Sequence, residues 1–102
     1  MAKLIATYGT PTDPEVFAAH YEAVHAPLAR RIPGLQAFEV SEGPIMTPAG
    51  PSDAHFIAIL TFADMAALQA AMASPEGQAA AADVANFATG GATLTLFATR
   101  PG

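Results

Sequence analysis

Ala18 to Leu28 reads Ala-Ala-His-Tyr-Glu-Ala-Val-His-Ala-Pro-Leu and holds two of the three histidines, His20 and His25, with one of the two tyrosines, Tyr21. Two of the four basic residues, Arg30 and Arg31, follow at once. An imidazole titrating near neutrality beside a phenol suits acid–base work, the first taking a proton and the second donating to a developing enolate or phenolate. Tyr21 and His25 are spaced i, i+4, so one helix face brings them together. They are the candidate catalytic pair. The plain alternative makes Tyr21 a core residue and has His25 close a helix end by bonding a carbonyl freed near Pro27. Phe17, His20, Val24 and Leu28 on the same segment are candidate substrate contacts, with Tyr8 and His55 approaching from elsewhere. His55 also follows Asp53 closely enough for an Asp–His orienting pair, or else sits at a strand end on an interface rim. For His20 the alternative is a solvated or loop-bonded ring.

Other chemistries fit less well. Zinc-binding helices space their histidines i, i+4. His20 and His25 are i, i+5, about 140° apart around an α-helix, on opposite sides of the apolar stripe, and no acid completes a ligand set. No metal and no organic cofactor are expected. With no cysteine, thiolate nucleophiles and disulfides are excluded. No Ser/His/Asp order stands out, and Gly90-Gly91 reads as a turn rather than a phosphate loop.

The elements that must position these residues can be read in order. Lys3 to Tyr8 alternates as a strand, with Leu4, Ala6 and Tyr8 on one face. A helix follows from about Pro14 to Arg31, begun by Asp13 with Pro14 at N1 or by a Thr12–Glu15 capping box. Phe17, Tyr21, Val24, Leu28 and Ile32 form its apolar stripe. Pro27 should kink or break it. Pro33-Gly34 stops it, and Leu35 to Glu42 is a second strand. Gly43 to Asp53 is a turn-rich loop long enough to be a lid or an arm. His55 to Phe62 is a third strand, with Phe56, Ala58, Leu60 and Phe62 opposite His55, Ile57, Ile59 and Thr61. Asp64 caps a helix from Met65 to about Ala73, Ser74-Pro75-Glu76 starts another reaching about Phe87, and Thr93 to Thr99 is the last strand.

The order βαββαβ is the ferredoxin-like motif, an α+β fold with helices on one face of a four-stranded antiparallel sheet. Strand three is apolar on both faces, whereas a sheet covered on one side alternates apolar and polar. Its second face therefore calls for a partner subunit, and a homodimer through the sheet face is expected. Composition agrees. The 102 residues, read as one domain, are 52% hydrophobic and only 13% charged, about half the usual charge. A buried interface or an apolar pocket resolves that imbalance. A net charge of −5 with four Lys and Arg argues against nucleic acid. No apolar run approaches the ~18 residues that span a bilayer, and Met1-Ala2-Lys3 runs into a strand without a signal-type segment. A cytoplasmic protein with no membrane partner is expected.

Phe17-x-x-His20-Tyr21-x-x-x-His25-x-Pro27-Leu28, followed by Ile32-Pro33-Gly34-Leu35, resembles the EthD family, named for ethyl tert-butyl ether degradation. Leu60 to Met65 and Ser74-Pro75-Glu76-Gly77 resemble the same family, so the likeness spans nearly the whole chain. The resemblance implies a dimeric α+β barrel in which two ferredoxin-like subunits pack sheet to sheet. Its superfamily includes cofactor-free monooxygenases, polyketide cyclases, lactone isomerases and haem enzymes, so the resemblance fixes no single reaction. Two readings follow. In one, a small apolar oxygenated or aromatic compound of catabolism lies between helices and sheet and undergoes cofactor-free acid–base chemistry of an isomerase, cyclase or monooxygenase type. In the other, a non-catalytic accessory protein hands such a compound to an oxygenase.

Overall fold

The computed structural model describes residues 1–102 and forms one four-stranded antiparallel sheet with helices on one face. Strand β1 spans Ala2–Gly9, β2 Ala37–Val40, β5 Ala54–Phe62 and β6 Ala92–Ala98, and the sheet order is β2-β5-β1-β6. Between β2 and β5 a two-strand hairpin, β3 Met46–Thr47 and β4 Gly50–Pro51, takes up much of the expected loop. The fold is ferredoxin-like. Its central strands obey the alternation of their sequence: Ala2, Leu4, Ala6 and Tyr8 are buried beneath the helices, while Lys3, Ile5 and Thr7 face the other way. No helix is long and apolar enough to cross a membrane.

The caps lie where short polar side chains precede proline or an apolar run. Asp13 accepts hydrogen bonds from the Glu15 and Val16 amides and opens α1, Pro14–His20, so Asp13 is the cap and not Thr12. Thr12 instead bonds Thr89. Asp64 accepts from the Ala67 amide at the start of α3, Met65–Ala73. Ser74 joins α3 to α4, Pro75–Asp83, donating to the Ala71 carbonyl and accepting from the Gly77 amide. A 3₁₀ turn, Val84–Asn86, takes over where the last helix was expected to continue.

The segment around Pro27 departs from expectation. The helical chain continues through it, but not as one α-helix. Tyr21–His25 forms one π-helical turn, closed by the Ala26 amide donating to the Tyr21 carbonyl, and helix α2 then runs Ala26–Arg30. Pro27 thereby falls in the first turn of α2, where its missing N–H costs nothing. The π turn contains one residue more than an α turn. Beyond it His25, Ala26 and Ala29 join the buried face, Ile32 is buried as expected and Leu28 packs half-buried against the core, while Val24 is left 40% exposed.

A second departure lies at His55. The β1–β5 ladder pairs Tyr8 with Phe56 but Gly9 with Ala54, so His55 is the extra residue of a β-bulge. Its ring meets Phe17 edge-on at 5.3 Å, on the helix side and not with Ile57 and Ile59 as the alternation implied. The helix-free face carries Ile5, Ile57, Ile59 and Phe97 among threonines, together with Lys3 and Glu39, set by the Ile5↔Ile59, Ile5↔Thr95 and Glu39↔Ile59 register.

Helices α3 and α4 meet closely at Gly77. A Cβ there would collide with the backbone carbonyl of Ala71 and the Met72 Cα, both main-chain atoms that cannot swing aside. Gly77→Ala is therefore expected to destabilise the protein by about 1–3 kcal/mol, the range of core overpacking, despite the better helix propensity of alanine. Thermal unfolding checks this, and a Tm at or above that of the parent would show that the two helices can separate freely.

Candidate active site

The site begins with Asp83, at the end of α4 and only 6% exposed. Its carboxylate faces three donors. His20 Nε2 lies 2.9 Å from Oδ1 and 3.1 Å from Oδ2, His25 Nδ1 lies 3.0 Å from Oδ2, and Asn86 Nδ2 donates to Oδ1 at 3.0 Å. The π turn makes this possible. Residues i and i+5 are the hydrogen-bonded pair of a π-helix and lie over one another, whereas in an α-helix they point apart. The two histidines expected on opposite sides of the stripe converge on one carboxylate.

Electrostatics fix their protonation. Burial raises the Asp83 carboxyl, but the hydrogen bonds from Asn86, His20 and His25 outweigh it and hold the group below its ordinary 3.8. Asp83 is thus an anion that can only accept. Burial lowers His25 below 6.5, against the opposing pull of its bond to Asp83, so its ring is neutral at pH 7. A neutral imidazole that donates from Nδ1 has a bare lone pair on Nε2. The contact is a charge-assisted hydrogen bond between a carboxylate and a neutral ring.

That ring lines a small, half-open cavity of about 50 Å³ between helices and sheet. Fourteen of its sixteen lining residues are hydrophobic, so few groups can make a polar contact with a ligand. The walls come from Leu4 and Ala6 of β1, Leu60 of β5, Met72 of α3, and Ala80 and Ala81 of α4, with the exposed Leu94 of β6 at the rim. Tyr8 and Tyr21 complete the polar set. Every side-chain nitrogen or oxygen sealed from solvent has a partner, and neither phenol oxygen nor His25 Nε2 has one within the protein. All three therefore retain access to solvent-sized space. Burial, helped by the negative charge of Asp83, pushes Tyr8 up to about 12. Burial and the neighbouring Tyr8 push Tyr21 higher still. Both phenols stay protonated donors at neutral pH.

Of the residues singled out from the sequence, Tyr8, Tyr21 and His25 meet in this cavity, with the Tyr21 and His25 rings 5.2 Å apart. The other five are not among its lining residues. Phe17 packs between Tyr8, His55, Phe56 and Phe87 in an aromatic cluster. His20 stacks on Phe87 and holds the outer side of Asp83. Val24 is exposed, Leu28 borders a separate shallow cleft with Arg31 and Glu76, and His55 supports Phe17. Asp83 and Asn86 were not foreseen. One signal was present: Asp83 is the only charged residue from Gly77 to Thr99, set in an alanine helix where an aspartate is a poor helix former.

This architecture matches known proteins. Residues 9–91 match the model of the EthD domain. A Rhodococcus erythropolis protein described as an uncharacterized 11.0 kDa protein in the thcB-thcC intergenic region is 42% identical over 94 residues, covering 92% of this chain and 90% of its own. The crystal structure of an ethyl tert-butyl ether degradation family protein from Bacillus halodurans superposes with a TM-score of 0.89 at 37% identity, over 98% of this chain and 99% of that one. SnoaB, a cofactor-independent oxygenase from Streptomyces nogalater, shares the fold at a TM-score of 0.68 and 19% identity, over 99% and 94% of the two chains. A ferredoxin-like protein in class, this chain belongs to the EthD family.

The protonation states predict a pH dependence. His25 has a folded pKa below its unfolded 6.5, so its contribution is complete above pH 6.5 and declines as pH falls through the folded value. Asp83, lowered from 3.8, behaves likewise at more acidic pH. The Tm should be level above pH 6.5 and fall in two stages below it. His25→Phe should remove the first stage and Asp83→Asn the second. A Tm unchanged from pH 7 to pH 3 would contradict the site as described.

Proposed function

We propose that this EthD protein binds a small apolar oxygenated or aromatic compound of catabolism in the helix–sheet cavity and carries out acid–base chemistry on it without a metal or organic cofactor. One observation carries the reading: His25 offers a bare Nε2 to an apolar cavity while Asp83 holds its other nitrogen. That is the arrangement of a general base kept in one tautomer and one orientation by a buried carboxylate. The low-dielectric walls strengthen any charge interaction made there. Tyr21, in ring contact with His25, orients the ligand or donates to it, and Tyr8 contributes from the sheet. His20 and Asn86 are positioning residues that keep Asp83 anionic. The cofactor-independent oxygenase SnoaB, which has the same fold, is consistent with such chemistry.

The protein acts as a homodimer through its helix-free sheet face. The half-buried Ile5, Ile57 and Ile59 and the exposed Phe97 give that face an apolar centre, with Lys3 and Glu39 beside it, and clustered exposed apolar side chains mark interaction surfaces. A second copy covers it symmetrically, since a two-fold interface sets the same patch against itself. Light scattering on the purified protein should give twice the chain mass, and Ile59→Asp, a charge in the middle of the face, should give the monomer. A parent protein that is monomeric at micromolar concentration would refute this arrangement.

A thermal-shift screen with small phenols, quinones, branched ethers and alcohols, and lactones tests the main reading. A ligand that binds the native state raises Tm by mass action, by about 2.7 kcal/mol of added stability at a hundred times its Kd. Hits in one chemical class should be turned over by the parent. His25→Phe should keep the shift and lose the turnover. Asp83→Asn can donate to Nδ1 and so stabilise the opposite tautomer; it should cut turnover by about 10⁴, as expected when a base loses its orienting aspartate. Hits that are never turned over, and that shift His25→Phe equally, would make the protein a carrier.

A further inference from the structure

Two cavity groups are left without an assigned partner, the hydroxyls of Tyr8 and Tyr21. A buried tyrosine normally satisfies its hydroxyl within the protein. Tyr8 is 1% exposed and Tyr21 3%, yet neither hydroxyl bonds another protein group, and both rings line the same cavity. The two rings meet edge-on with centroids 6.1 Å apart, and Tyr21 contacts His25. One largely apolar space is thus bordered by two residues with free O–H donors and one with a free nitrogen acceptor.

A ligand that satisfies all three has an oxygen able to accept twice and a removable proton close to it. A carbonyl oxygen has the two lone pairs, and the carbon beside it has the acidic hydrogen. An ether or a tertiary alcohol offers no such C–H, and a carboxylate would bring a full charge into an apolar cavity containing no Lys or Arg. We propose that Tyr8 and Tyr21 form a paired-donor oxyanion site and that the ligand is an apolar carbonyl compound with an α-hydrogen, which this site holds as its enolate. The inference rests on the assignment of His25 as base and adds the substrate class to it.

The step balances without a co-reactant. His25 Nε2 takes the α-proton, the C–H electron pair forms the carbon–carbon double bond, and the carbonyl π pair moves onto oxygen. The enolate oxygen then accepts from both phenols. The imidazolium retains its Nδ1–H on Asp83, which offsets the new positive charge. Return of the proton to the same carbon regenerates the ketone, and return to a distant carbon of a conjugated system gives an isomer. Preorganised donors aimed at a developing oxyanion commonly supply a large part of such a rate enhancement.

Nitrophenol tests this without a known substrate, because a phenolate resembles an enolate in shape and charge. 4-Nitrophenol is titrated with the purified protein at pH 6 and its ionisation read from the nitrophenolate absorbance, with 4-nitroanisole as the neutral match. The expected result is at least a tenfold shift of bound nitrophenol toward the phenolate, its proton resting on His25. Tyr8→Phe and Tyr21→Phe should each weaken nitrophenol binding by roughly ten- to a hundredfold, the size of one hydrogen bond to a charged group, while nitroanisole binding stays within twofold. Should Tyr8→Phe fail to fold, Tyr21→Phe and the parent spectrum suffice. Nitrophenol bound in its protonated form, or bound equally by the parent and the Phe variants, overturns the oxyanion site. Nitroanisole binding would then still uphold the cavity as a ligand site, whereas no binding of either compound defeats both.

Discussion

Asp83 carries a negative charge at a position almost sealed from water, and most of the arrangement around the cavity answers to that constraint. A buried carboxylate left unpaired costs several kcal/mol, and removing one partner of a buried charge typically costs about 3–5 kcal/mol. Three donors from three backbone segments meet it: His20 at the end of α1, His25 in the π turn and Asn86 in the 3₁₀ turn. The carboxylate ties the first helical segment to the last one, across 63 residues of sequence between His20 and Asp83. The same bonds set the His25 tautomer. Structural demand and chemical readiness are met by one group.

That convergence depends on the π turn, and the π turn sits directly ahead of Pro27. An uninterrupted α-helix would place the proline ring against a carbonyl four residues back and leave that acceptor unpaired. One extra residue in the preceding turn lets the helix resume with proline in its first turn. The side effect is a change of face: His25 moves inward and Val24 outward. A π turn of this kind is costly and is found disproportionately at functional sites. Here its visible product is the pairing of His20 with His25 on one carboxylate.

These two features divide what the sequence made legible from what it did not. Element order, the Asp64 and Ser74 caps, the buried set Leu4, Ala6 and Tyr8, and the two-sided apolar character of β5 follow from local pattern and were readable. So was the nearness of Tyr21 and His25, since i, i+4 neighbours remain close in either helical geometry. The π turn was not readable, because proline announces a disturbance without saying which adjustment absorbs it. Its consequence falls on Val24, which turns outward. The β-bulge at His55 likewise reversed the face of a single residue in a strand whose other alternation held. The meeting of Asp83 with the histidines was invisible to spacing arguments, because His20 and His25 lie far away in the chain.

The alanine content also takes on a second meaning. In a helix such as α4, alanine reads first as a good helix former. The cavity shows what its small volume does. Ala6, Ala29, Ala58, Ala80, Ala81 and Gly77 line the space, and larger side chains at these positions would fill it. An unfilled cavity weakens a core, because the atoms lining it lack contact partners. The aromatic cluster of Tyr8, Phe17, Tyr21, Phe56 and Phe87 lies beside it, with ring centroids 4.7–6.1 Å apart. Such pairs contribute about 0.5–1.5 kcal/mol each beyond their burial. Tyr8 and Tyr21 belong to both regions: their rings anchor the packed cluster and both residues also line the cavity. Dense packing on one side thus holds in place the two residues that border the open side.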